Sequence, residues 1–225
     1  VLGLFQTAGF TGFLIWALLE GGASKTVILV FTMPLWVAIM AWPLLREKLT
    51  VAQWFAVGIS FLGIGIIFNP LSEGNNIFSC TLALASGFSW ACGVILSKKI
   101  HIKFPKLDLL TMTAWQMLWG SIPLFIILFI VNSEPIMWTN YFISIVLFNI
   151  IFVNAIAYLL WFYSLKHLEA SSVSMISLLT PIAGGVSAWL LLGEVPNSSE
   201  KIGYFLILLG LFALLFFQKK LKVLK

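Results

Sequence analysis

Eight stretches of this chain, at residues 1–19, 26–44, 50–70, 77–97, 109–131, 141–165, 170–192 and 202–217, contain no charged side chain. Each is close to the roughly 20 residues that an α-helix, rising about 1.5 Å per residue, needs to cross a hydrocarbon core. In hydrocarbon there is no water to bond the backbone, so only helices and closed barrels satisfy their N–H and C=O groups. Barrel strands would be about half as long and would alternate in polarity, which none of these stretches does. The expected fold is therefore all-α and integral to a membrane, with eight transmembrane helices. Composition agrees, since only 9% of residues are charged and the mean hydropathy is +1.06, whereas about a quarter of residues in soluble domains carry charge.

The formal charge of +5 would suit a nucleic-acid partner, so the placement of the basic residues has to decide. Numbering the loops alternately, Arg46, Lys48, Lys98, Lys99, Lys103, Lys106, Lys166, Lys219, Lys220, Lys222 and Lys225 fall on one side, 11 of the 13. Only Lys25 and Lys201 fall on the other. This bias is the mark of a bilayer-spanning chain and predicts that the Lys98–Lys106 loop and the C-terminus are cytoplasmic. The lipid bilayer, with no nucleic acid, is the expected partner. Cys80 and Cys92 lie in one stretch, about 18 Å apart along a helix axis, too far for a disulfide, and are expected to be small buried hydrophobes. No metal-ligand spacing occurs. The first stretch lacks the basic flank of a signal peptide and is expected to be a true span.

The segment ASKTVILVFTMPLWVAIMAWPLLRE, Ala23 to Glu47, returns as ASSVSMISLLTPIAGGVSAWLLLGE, Ala170 to Glu194, at a constant offset of 147 residues. Carried back to Leu4, the offset gives 11 identities in 44 positions, where apolar composition alone would give roughly four or five. Gly58 and Gly65 in the third stretch have the spacing of Gly203 and Gly210 in the last. The matching pairs the first three stretches with the last three of the five that follow Asn76. Two helices are then expected before Val1, and an odd repeat inverts the second copy relative to the first. Residues 1–72 would be the last three helices of one repeat, and residues 73–225 a complete five-helix repeat with a basic tail. Inverted repeats with broken helices are a transporter architecture whose solute site lies near mid-membrane.

Five-helix repeats, the Ala-Ser pair opening the fourth helix, a proline in mid-helix (Pro34, Pro181), a glutamate 13 residues on (Glu47, Glu194) and a Gly-x6-Gly fifth helix resemble the EamA-type members of the drug/metabolite transporter superfamily. The resemblance covers essentially the whole chain. It implies ten helices with both termini cytoplasmic, a central cavity lined by the first four helices of each repeat, and movement of small metabolites such as amino acids. It implies the cell membrane, the bacterial inner membrane, as the location.

No Asp, Glu, Lys, Arg or His falls in the middle of any stretch, which argues against proton coupling through an intramembrane charge and for a facilitator or exporter. The candidate substrate-binding residues are uncharged: Gln6, Thr7 and Thr11 from the first stretch, with Trp90, Gln116, Trp119, Asn154, Tyr158 and Trp161. Amides and hydroxyls are costly in hydrocarbon unless paired, and aromatic faces accept flat apolar groups and ammonium ions. A small neutral or zwitterionic, amino-acid-like solute suits such walls. The bland alternative for each of these residues is an interface anchor or an interhelical hydrogen bond. Pro34 and Pro181 are expected to be hinges or kinks, since each removes one helical hydrogen bond. Ala83, Gly87 and Ala91 form a small-residue packing face, and the adjacent face with Ser79, Ser86 and Trp90 is expected to meet solute. The chain is not expected to be an enzyme: its carboxylates are scattered in loops, no phosphate loop or other cofactor motif is present, and no catalytic set assembles. The remaining alternative is a non-transporting membrane assembly or lipid-handling component. The glycines of the third and last stretches serve either a homodimer or internal packing.

Overall fold

The computed structural model describes residues 1–45, 49–67, 76–104, 106–131, 135–157, 160, 179–193 and 195–223. Every regular element among them is helical. Helix α1 starts as a π-helix, Leu4–Gly9, and continues as Phe10–Gly21. Then come α2 (Ala23–Val30), α3 (Met33–Leu45), α4 (Val51–Ile67), α5 (Ile77–Lys103) and α6 (Leu109–Ile130). Helix α7 runs from Asn140 to Phe148 and on as a π-helix to Ile156, followed by α8 (Leu179–Leu192) and α9 (Ser198–Val223). Each of the eight expected stretches thus contains a described helix. Among the described residues, Ala23–Leu45, Ile77–Ile100 and Leu110–Ile130 are long and apolar enough to cross a membrane, with Val51–Ile67 and Asn140–Ile156 as shorter apolar helices.

The helices begin where the sequence supplies a cap for their unpaired N–H groups. Asn76 accepts from the Ser79 N–H at 3.1 Å, Asp108 from the Thr111 N–H at 2.9 Å, and Thr139 from the Phe142 N–H at 3.1 Å. Thr50 and Gln53 cap α4 reciprocally, and so do Asn197 and Glu200 on α9, each a capping box. Between α1 and α2 the chain turns at Gly22, whose φ of +78° favours glycine.

The second stretch is a broken helix. Helix α2 ends at Val30, Phe31 adopts φ −73° and ψ 7°, and α3 starts at Met33. Pro34 lies in the first turn of α3, where a missing N–H matters least, so it stands after the break rather than at its centre. The Thr32 hydroxyl donates to the Leu29 carbonyl at 2.6 Å and the Leu35 N–H to the Thr32 carbonyl at 2.9 Å. The Val30 carbonyl lies against Gly87 of α5, where a Cβ would sit 2.6 Å from its oxygen. Pro181 falls inside α8. Glu47, Glu194, Tyr158, Trp161 and most of the second repeat copy's first half lie outside the described residues.

Helix α5 is central, with α1, α2 and α3 packed on it; Ala83, Gly87 and Ala91 are all buried there, as their spacing predicts. Ser79 and Ser86, expected to meet solute, are instead buried against α1, which corrects that expectation for the two serines. Ser79, Ser86 and Ser89 donate to the Ala17, Phe10 and Phe5 carbonyls of α1 at 2.9, 2.8 and 2.8 Å. In an apolar medium an unpaired hydroxyl is costly, and a neighbouring helix carbonyl is the nearest acceptor. The last helix, α9, lies along α4: Gly63 faces the Gly203 carbonyl, and Gly210 faces Ser60. Those glycines serve internal packing, whereas Gly58 and Gly65 meet nothing within 4 Å. Helix α7 has no buried residue. No disulfide links Cys80 and Cys92; Cys80 is buried, and the Cys92 sulfur lies 3.9 Å from that of Met40.

Candidate functional site

The expected solute residues divide by position. Thr7 and Gln116 lie on the two helices that meet where the π-helical start of α1 crosses α6. The crossing is close because Gly3 and Gly120 face each other backbone to backbone, with Thr7 against Gly120 and the Gln116 carbonyl against Gly3. On the other flank of α1, the Gln6 side chain lies over Gly93 of α5, where a Cβ would sit 2.7 Å from that of Gln6. Both glutamines are buried, Gln6 at 5% exposure and Gln116 at 4%. Within the described residues, neither amide atom of Gln116 has a hydrogen-bond partner, and neither does the buried Thr7 hydroxyl.

Burying an amide without a partner costs about 1–3 kcal/mol, and native chains pair nearly all such groups. An uncharged donor and acceptor left open beside a hydroxyl is chemically suited to a neutral polar group or the head of a zwitterion. The π-helical turn belongs to the same place. A π-helix shifts the backbone bonding by one residue and is frequent at functional sites, and here the Phe5 carbonyl within it receives the Ser89 hydroxyl.

Trp90 lies one turn from Ser86 and packs against Phe10 with ring centroids 4.7 Å apart and planes tilted by 57°. It forms an aromatic wall on the α1–α5 seam. Thr11 is half-buried on the same helix as Gln6. Trp119 is not drawn in: it is 61% exposed, on the side of α6 that turns from α1. Asn154 is also apart; its amide donates to the Asn149 carbonyl of its own helix at 2.9 Å, and α7 buries no side chain.

Two groups escaped the sequence argument. Trp36 is wedged edge-on between Phe61 and Phe88, at 5.4 and 5.6 Å, and its buried indole N–H has no acceptor among the described residues. It sits just beyond the α2–α3 break. The second group is an ion pair, Lys25 Nζ to Glu200 Oε1 at 2.6 Å, joining the starts of α2 and α9. The sequence offered one signal for it, that Lys25 is one of two basic residues at that end of the bundle. Among the described residues no cluster of His, Cys, Asp and Glu suited to a metal comes together.

Comparison with known proteins adds an independent line. The model of the EamA-like transporter family matches residues 1–69 and 77–216. The uncharacterized transporter YoaV of Bacillus subtilis is 26% identical over 227 residues, covering 99% of this chain and 77% of its own length. The uncharacterized transporter YvbV of the same organism is 31% identical, covering 80% of this chain and 58% of itself. A probable amino-acid metabolite efflux pump of Escherichia coli is 28% identical, covering 79% of this chain and 63% of itself. The chain thus spans about three quarters of the first of these relatives and less than two thirds of the other two. No solved structure matches.

Proposed function

Because the chain belongs to the EamA-like transporter family, a family of membrane transporters rather than enzymes, we propose that it moves small neutral or zwitterionic metabolites, amino acids foremost, across the cell membrane by alternating access. The observation that carries the solute class is that the Gln116 amide and the Thr7 hydroxyl, on the two helices of one close crossing, are both buried without a partner among the described residues. A passing solute supplies the missing partners, so a group that is costly in the empty bundle becomes a binding contact. Trp90 and Phe10 provide the flat wall beside it. The efflux pump of Escherichia coli, named for amino-acid metabolites, supports export of the same class.

The two matched segments, 1–69 and 77–216, support a chain made of the end of one repeat and a whole second repeat. The charge bias supports a cytoplasmic C-terminus. With no ionisable side chain in the middle of a stretch, flux is uncoupled from the proton gradient. The α2–α3 break, with Pro34 in the turn that follows, is the hinge about which the inner half of the second span moves; Pro181 has the matching role in α8. Tyr158 and Trp161, on the sixth stretch, are further proposed solute contacts.

The test is efflux of radiolabelled amino acids from proteoliposomes, with and without a pH gradient. We expect flux of a neutral amino acid that is unchanged by the gradient and falls about tenfold in Trp90→Ala, the size expected for one lost aromatic contact. Flux of no amino acid under either condition would overturn the solute class, and flux seen only with a gradient would overturn the uncoupled mechanism.

A further inference from the structure

We propose a second solute site at the other end of α1, a pocket selective for zwitterions in which Lys25 takes the carboxylate and Glu200 the ammonium group of a small amino acid. The proposal rests on the transport reading above and extends it from the membrane interior to the exit. From Gln6 to Gly21 along α1 is 15 residues, about 22 Å at 1.5 Å per residue, so the two sites are well separated. The charge bias assigns this end to the external face.

A cavity of about 260 Å³ opens where the α1–α2 turn meets the start of α9, lined by Gly21, Gly22, Ser24, Lys25, Glu200 and Tyr204, with Val195 and Pro196 at its edge. Drug-sized ligands occupy pockets of about 300–1,000 Å³, so this space suits a smaller molecule. Lys25 and Glu200 line it with side chains only 13% and 14% exposed. Their charges are therefore largely desolvated and act strongly on anything that enters.

The carboxylate is held in place. Glu200 Oε2 accepts the Asn197 N–H at 3.0 Å, and the Glu200 N–H donates to Asn197 Oδ1 at 2.8 Å, while Oε1 faces Lys25. A fixed carboxylate opposite an ammonium on a flexible stem offers a zwitterion one group of each sign. A zwitterion entering between them replaces each partner with one of like charge and leaves net charge unchanged. A lone cation meets Lys25, and a lone anion meets Glu200, so both are rejected. Tyr204 and Ser24 add hydroxyls within the same cavity.

The test uses the full chain in lipid nanodiscs and titration calorimetry with glycine, L-alanine and L-serine as probes, against alaninamide, which lacks the carboxylate, and propionate, which lacks the amine. We expect a zwitterion to bind at least about tenfold more tightly than either half-molecule, the discrimination that one charged contact provides. Lys25→Met and Glu200→Gln should each weaken it about tenfold, and Lys25→Arg should keep it within about threefold. The comparison among probes needs no variant, so it stands even where a variant fails to fold. No binding by any of the three zwitterions, or equal binding of alanine, alaninamide and propionate, overturns the proposal. Binding that survives Lys25→Met and is lost in Gln116→Leu overturns it too, while leaving the interior site and the transport reading intact. Failure of transport itself shows in the efflux assay as no flux of any amino acid.

Discussion

Where α4 meets α9, Gly63 lies against the Gly203 carbonyl and Gly210 against Ser60, and the Ser60 hydroxyl donates to the Ala56 and Ile207 carbonyls at 3.2 and 3.4 Å. Where α1 meets α6, Gly3 and Gly120 allow an equally close approach, yet the Thr7 hydroxyl and the Gln116 amide beside them have no partner among the described residues. The two crossings use the same device. Small residues let backbones touch, which is how helices associate when lipid removes the hydrophobic contrast. One crossing closes its polar groups on itself and is a structural seam. The other leaves them without a partner among the described residues, at an energetic cost that a bound solute would offset on the proposed reading.

Three experiments would break or sharpen that contrast. The largest effect is expected for Gly63→Leu: a Cβ there already sits 2.7 Å from the Gly203 carbonyl oxygen and 3.0 Å from Ile207, so the added side chain forces α4 and α9 apart. Thermal unfolding in detergent should show a loss of about 10 °C or failure to assemble; an unchanged melting temperature would mean that this seam does not hold the bundle. Next come two polar deletions whose stability effects carry opposite signs. Gln116→Leu should raise stability by about 1 kcal/mol, because it removes an unpaired amide, and lower amino-acid flux about tenfold. Ser60→Ala should lower stability by about 0.6–1 kcal/mol and leave flux unchanged. Denaturation read alongside efflux separates the two, and equal signs would erase the distinction between seam and site.

The smallest effect belongs to Gly58→Ala. A Cβ there would meet nothing from other elements within 4 Å among the described residues, so alanine gains helix propensity, up to about 1 kcal/mol, without a clash. A marked loss of stability or a change in oligomeric mass would reveal a contact made by a second copy on this face.

Much of the fold was legible. Uncharged length located the helices, and the four-residue spacing of Ala83, Gly87 and Ala91 marked a face that is in fact buried. Proline at Pro34 signalled a discontinuity, displaced by three residues because proline is best tolerated in a first turn. Of the site, Gln6, Thr7 and Gln116 stood out as polar groups in apolar helices; all three flank the π-helical turn of α1, Gln6 on the α5 side and Thr7 on the α6 side. Trp119 and Asn154, chosen by the same argument, do not join them, since periodicity places a side chain on a face and not against a neighbour.

What the sequence determined by itself was therefore the class of molecule: a helical membrane chain, its helix ends, and the few polar groups that hydrocarbon makes conspicuous. What only the tertiary structure decided was partnership. It chose Gly63, Gly203 and Gly210 over Gly58 and Gly65, turned the α5 serines onto α1 carbonyls, left Gln116 open, and joined Lys25 to Glu200 across 175 positions of sequence. The physical reason lies in the solvent. In water an apolar stripe tells a helix which side faces inward, but lipid is as apolar as a protein core, so a membrane helix carries little of that information in its pattern. Inward and outward are settled instead by close backbone approach and by hydrogen bonds that find partners far along the chain.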